Sequence, residues 1–180
     1  MKTWVALFRG INVTGNNMLP MDRLKTLMEK CGCREVRTYI QSGNAVFRSP
    51  LSDARSVERR LMKAVERSHG FAPHVLALTR RDLEKAAAGN PFPQAVADHK
   101  SVHVFFLAAT PERPDTIGLD RLRKTSERFA LKGRFFYLHT PEGFGTSKLA
   151  KGAERLLGVP ATARNWRTVT TLLDLTKSAD

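Results

Sequence analysis

The sequence predicts an α+β protein made of two β-α-β-β-α plait motifs packed together and closed by a C-terminal helix. Three observations carry that expectation. Short apolar or β-branched runs alternate with helical apolar stripes across residues 1–80. The same order recurs across residues 81–180, although residue identity does not. Each half also holds two strand-like runs flanking a Ser-Gly or Lys-Gly pair, which is a hairpin signal.

Thr3 to Phe8 is β-branched and apolar, stops at Arg9-Gly10, and reads as a buried strand. Residues 9–19 form a polar loop rich in Gly and Asn. Pro20 suits the first turn of a helix. Met21, Leu24, Leu27, Met28 and Cys31 supply that helix with a stripe, which places Cys31 in the core and leaves Cys33 as a spare thiol. Glu35 to Gln41 and Asn44 to Arg48 are strands around Ser42-Gly43. A helix over Asp53 to His69 sets Val57, Leu61, Ala64 and Val65 on one face, and His74 to Leu78 is a fourth strand. The five bases between Arg55 and Arg67 are interleaved with acids and read as a solvated helix face.

The second half opens at Thr79, an N-cap with Asp82 three residues on as its capping partner. That short helix stops at Gly89 and Pro91. Val102 to Ala108 is an apolar strand, followed by a helix around Ile117 to Lys124. Arg128 to Leu131 and Arg134 to His139 form the second hairpin, and Ser147 to Leu157 is a helix ended by Gly158 and Pro160. The last helix is expected from about Asn165 to Lys177, with Trp166 at the head of its buried stripe. Both halves therefore read as ferredoxin-like plaits, 1–80 and 81–180.

Charge and composition narrow the function. Thirty Lys and Arg against seventeen Asp and Glu leave +13, with fourteen bases and six acids in residues 1–80. Such an excess attracts polyanions: a nucleotide, a nucleic acid or a phosphorylated metabolite. Two cysteines exclude a disulfide scaffold and a four-ligand zinc ribbon. No run reaches the roughly 20 apolar residues that a membrane span needs. With no secretory signal in the sequence, a cytoplasmic protein with no membrane partner is expected.

Topology gathers what the linear spacing separates. In a split β-α-β motif the third strand runs back between the first two. The end of strand one then meets the turn between strands two and three. The first brings Arg9, Asn12 and the glycines at 10 and 15; the second brings Gln41, Ser42 and Asn44. Arginine offers a bidentate cation, amides offer donors and acceptors, and glycine lets the backbone come close to a ligand. Two further segments suit an anion. Gly143 to Lys148 leads into a helix start, where free N–H groups welcome phosphate, with Lys148 adding a charge. Arg164, Asn165 and Arg167 stand at the start of the last helix, the arginines three apart and so on one face.

The usual catalytic and metal signatures are missing. His99 and His103 are four apart, but on a strand entry that spacing does not make neighbours, and no Glu follows His99. Gly143 to Lys148 lacks the spacing of a phosphate-binding loop. No metal and no cofactor are expected.

Several stretches together resemble the bacterial family catalogued as domain of unknown function 1697. They are Arg9-Gly10-Ile11-Asn12-Val13 before Pro20-Met21, Thr38 to Asn44, Asn90-Pro91-Phe92, Thr146 to Leu149, and Ala163 to Val169. Thr14 stands where that family commonly has a second glycine, and Asn16 where it often has lysine. The resemblance implies two differently decorated β-α-β-β-α motifs and supplies no reaction. The function expected is the binding of an anionic, phosphate-bearing ligand through loops 9–17 and 41–44. The alternatives are an enzyme acting on a small phosphorylated substrate and a protein-interaction module. Oligomeric state is not legible in the sequence.

Overall fold

In a computed structural model that describes residues 1–178, the chain divides into two compact units. Unit 1 runs from Met1 to Glu84 and takes in the segment from Thr171 on; unit 2 runs from Lys85 to Thr170.

Unit 1 is built from β1 (Lys2–Arg9), α1 (Met21–Lys30), β2 (Arg34–Tyr39), β3 (Asn44–Ser49), α2 (Ala54–His69) and β4 (His74–Leu78). The sheet order is β2-β3-β1-β4, and every neighbouring pair is antiparallel. β1 is central, and its run from Trp4 to Phe8 is buried on both faces, which is why it reads as a continuous apolar stretch. Trp4, Ala6 and Phe8 join Phe47 and Ala77 in a core under the helices. Leu24 and Met28 of α1 and Val57, Leu61 and Val65 of α2 fill that core from above. α2 begins where Asp53 accepts the Ser56 amide at 2.8 Å and ends at Gly70 in the left-handed region. Across the unit, Glu58 accepts the Ala77 amide of β4 at 2.9 Å.

Unit 2 repeats the order. β5 (Val102–Leu107), α4 (Thr116–Leu122), β6 (Arg128–Lys132), β7 (Phe135–His139), α5 (Lys148–Leu157) and β8 (Ala161–Asn165) form a sheet β6-β7-β5-β8, again antiparallel throughout. Phe105, Leu107, Phe136 and Leu138 pack against Leu119 of α4 and Leu149, Ala153 and Leu157 of α5. Here Glu154 of α5 accepts the Ala161 amide of β8 at 3.2 Å, the same device that Glu58 supplies in unit 1. The remaining helices are α3 (Arg80–Ala88) and α6 (Trp166–Lys177), and a 3-10 turn spans Pro93–Ala97. α3 opens on a reciprocal cap: Asp82 accepts from the Thr79 amide and hydroxyl, and its own amide donates to the Thr79 hydroxyl.

The elements differ from the sequence reading in three places. β8 was not expected. Its pairing with β5, from Leu107 opposite Ala161 to His103 opposite Asn165, makes a strand of five residues that have little strand character alone. α6 consequently starts at Trp166, and Trp166 is half-buried rather than core. The two thiols exchange roles: α1 ends at Lys30, Gly32 turns the chain inward with φ at 85°, and Cys33 is the buried one while Cys31 is half-buried.

Candidate functional site

The end of β1 and the β2–β3 turn meet. The Phe8 amide donates to the Gly43 carbonyl at 2.8 Å, and the Asn12 side-chain amide donates to the Gln41 carbonyl at 2.9 Å. Asn12 also donates to the Leu19 carbonyl at 2.9 Å and accepts the Leu19 amide at 2.7 Å. Its side chain is thus fully used in bracing the loop. Asn17 does similar work, donating to the Gly10 carbonyl at 2.8 Å. Asn44 is completely buried and donates to the Tyr39 carbonyl and the Ser42 hydroxyl, both at 3.0 Å. The carboxamides of Asn12 and Asn44 therefore build the loop cluster. Of the site residues read from the sequence on these loops, Arg9, Gln41 and Ser42 are exposed to solvent.

This cluster carries strain. Asn12, Thr14, Asn17 and Ile40 all have φ between 46° and 53°, in the left-handed region. Asparagine tolerates that region, but a β-branched Thr or Ile does so at a cost of about 1–3 kcal/mol. Gly43, at φ 80°, is required twice over. A Cβ there would lie 2.6 Å from Ile11 Cδ1 and 2.8 Å from Phe8 Cβ. Three large apolar side chains, Val13, Met18 and Ile40, stand exposed on the same loops.

Lys148, Arg164, Asn165 and Arg167 belong to unit 2. Lys148 is the exposed first residue of α5, beside the buried Ser147, whose hydroxyl accepts the Ala150 amide at 3.0 Å. Asn165 caps α6 by accepting the Thr168 amide at 2.9 Å. Arg164 does not share a helix face with Arg167, because it lies on β8. Its guanidinium donates to the Ala163 carbonyl at 2.9 Å, and burial pushes its pKa down to about 10. Arg167 is exposed in the first turn of α6.

A group that sequence reasoning passed over lies in the same unit. His103 stands opposite Asn165 in the β5–β8 pairing, and its ring stacks on Phe144 with centroids 3.8 Å apart. Its buried Nδ1 has no hydrogen-bond partner. Burial holds this histidine well below its usual pKa, at about 4, so the imidazole is neutral near pH 7. The signal available in the sequence was a histidine inside an apolar strand, which was weighed only as a metal ligand. Among the described residues, no three His, Cys, Asp or Glu side chains come together to hold a metal ion. Nor is any helix among them long and apolar enough to cross a membrane.

A family model described as "Protein of unknown function (DUF1697)" matches residues 1–137, about three quarters of the chain. The chain belongs to that family. Among solved structures, this DUF1697 protein is similar to a conserved bacterial protein, SP0830, from Streptococcus pneumoniae. The TM-score is 0.67 at 24% identity, over 97% of this chain and 98% of that one. That likeness extends the shared fold beyond residue 137, across both β-α-β-β-α motifs. No curated protein matches the chain.

Proposed function

We propose that this protein binds an anionic, phosphate-bearing ligand of nucleotide size at the loop end of unit 1. One observation carries the reading: the bond from Asn12 to Gln41 ties two loops into a single rim that leaves Arg9, Gln41 and Ser42 exposed. The rim is held on left-handed backbone at Asn12, Thr14 and Ile40. Strain of that kind persists where surrounding structure over-determines it, and it concentrates at ligand sites. Arg9 supplies the charge for a phosphate, and Gln41 and Ser42 supply directional hydrogen bonds. Asn12 and Asn44 hold the rim in shape.

The test is a thermal-shift screen against nucleotides and sugar phosphates. A ligand at about 100 times its Kd adds about 2.7 kcal/mol of stability. The shift should vanish in Arg9→Ala and weaken in Gln41→Ala. A shift unchanged in both variants refutes this rim as the site.

The exposed Val13, Met18 and Ile40 favour a second reading, in which the rim docks a protein partner. Replacing Met18 and Ile40 by Ser separates the two: ligand shifts survive if the apolar residues serve a partner alone.

A further inference from the structure

The bases of α2 read from the sequence as a solvated helix face, but the fold sets four of the five, Arg59, Arg60, Lys63 and Arg67, along two adjoining cavities. Between α1 and α2 lies an open cavity of about 580 Å³ lined by Leu27, Lys30, Cys31, Arg60, Ala64 and Arg67. A smaller one of about 260 Å³ shares Arg60 and Arg67 and adds Arg59 and Lys63. Five cations thus line two cavities that share two of them, with Leu27 and Ala64 as the apolar lining of the larger and Leu51 of the smaller. None of the five is in an ion pair among the described residues. Arg60 donates to the Cys31 carbonyl at 3.4 Å and Arg67 to the Lys63 carbonyl at 3.3 Å, which leaves most of both guanidinium groups available.

The neighbouring acids offset the row only in part, Asp53 acting on Arg59 alone. Glu58 is turned to the Ala77 amide of β4, and Asp53 is engaged as the cap of α2. Hydrogen bonds from the Ser56 amide and hydroxyl, with a smaller contribution from Arg59, hold the Asp53 carboxyl below its usual range. Glu29 and Glu66 line neither cavity. Arg59, Lys63 and Arg67 follow one another at intervals of four residues, so they share a face and rise about 6 Å per step. Like charges at that interval repel and destabilise the helix. A lone phosphate would satisfy two or three of the cations and leave the others facing one another. A chain of phosphates at a similar repeat would engage the whole row.

We propose that the groove formed by these two adjoining cavities along α2 of unit 1 binds one strand of a nucleic acid through its phosphodiester backbone. The groove reads charge and repeat, and its apolar floor accepts sugars or base faces. It is separate from the loop rim and does not depend on it.

The test measures anisotropy of a labelled oligothymidylate with the full chain across a salt series. Three phosphate contacts predict a log–log salt slope near −2, at about −0.7 per phosphate for a single strand. Arg59→Ser/Lys63→Ser/Arg67→Ser should remove most of that slope and weaken binding at low salt at least tenfold, whereas Arg9→Ala should leave both unchanged. These three side chains are exposed, so the variant should keep its circular dichroism spectrum and urea midpoint. A second readout needs no variant of the row: Cys31 lies in the groove, and saturating oligothymidylate should slow its alkylation several-fold. The proposal is overturned by any of four results. They are no binding at low salt, a triple variant that binds like the parent chain, an unprotected Cys31, or displacement by an acidic peptide at equal charge concentration. A loss of nucleotide thermal shifts in Arg9→Ala with oligothymidylate binding intact would separate the groove from the rim.

Discussion

Replacing Gly43 by Ala tests how the β2–β3 turn is locked against β1. At φ 80° an alanine pays about 1–2 kcal/mol for the left-handed region. The added Cβ would also sit 2.6 Å from Ile11 Cδ1 and 2.8 Å from Phe8 Cβ. The tip of Ile11 can rotate aside, but Phe8 Cβ is one bond from the backbone of the central strand and cannot. Overpacking of that kind adds about 1–3 kcal/mol. A less flexible unfolded chain returns about 0.4–1 kcal/mol. The net expectation is a loss of about 1–4.5 kcal/mol. Gly15 is the control, because its φ is 79° and nothing lies within 4 Å of an added Cβ. Gly15→Ala should therefore lose no more than about 1.5 kcal/mol, the backbone part alone. Equilibrium urea unfolding reads both, with midpoints separated by about 1 M at a typical slope. Equal losses in the two variants would refute the close approach of the turn to Phe8 and Ile11.

Three other outcomes follow from the geometry. Thr14, β-branched at φ 46°, is the residue on the loop that glycine should improve: Thr14→Gly should gain up to about 1 kcal/mol in the same urea assay, and a loss would contradict the strain. His103 should make stability depend on pH. The unfolded imidazole takes up a proton near pH 6.5, whereas the folded one resists until about pH 4, so this contribution is complete above 6.5 and is lost as pH falls toward 4. The loss is at most about 3 kcal/mol, and His103→Phe, which keeps a ring against Phe144, should flatten that part of the profile. The two thiols should react at different rates. Cys33 is buried and its pKa is pushed up to about 12 by that burial, so a thiol reagent should show one fast phase, removed by Cys31→Ser and retained in Cys33→Ser.

Particular residues explain what could be read in advance. The Trp4–Phe8 run, the Ser42-Gly43 pair and the Thr79/Asp82 cap are local signals, and each forms the element it implies. Strand order then brought Arg9 to the 41–44 turn, because a split β-α-β arrangement leaves those ends no other place. β8 escaped because Ala161-Thr162-Ala163-Arg164-Asn165 has no apolar strand former, and its extended form comes from lying along β5. Once it was missed, Arg164 was set on a helix it does not occupy. The commitments of Asn12 and Asn44 escaped as well, since they depend on backbone angles and on carbonyls up to 29 residues away. The basic groove needed both helices docked, and a stripe on α2 by itself has no walls.

One hydrogen-bonded pair has a consequence for how the chain is made. The Arg37 guanidinium reaches the hydroxyl of Ser178 at 3.1 Å and its carbonyl at 3.3 Å, across 141 positions. Unit 1 includes the segment from Thr171 on. A ribosome emits Met1 to Glu84 of this unit, then all of unit 2, and only then the segment from Thr171 on, so the first unit is complete only after the second has been made.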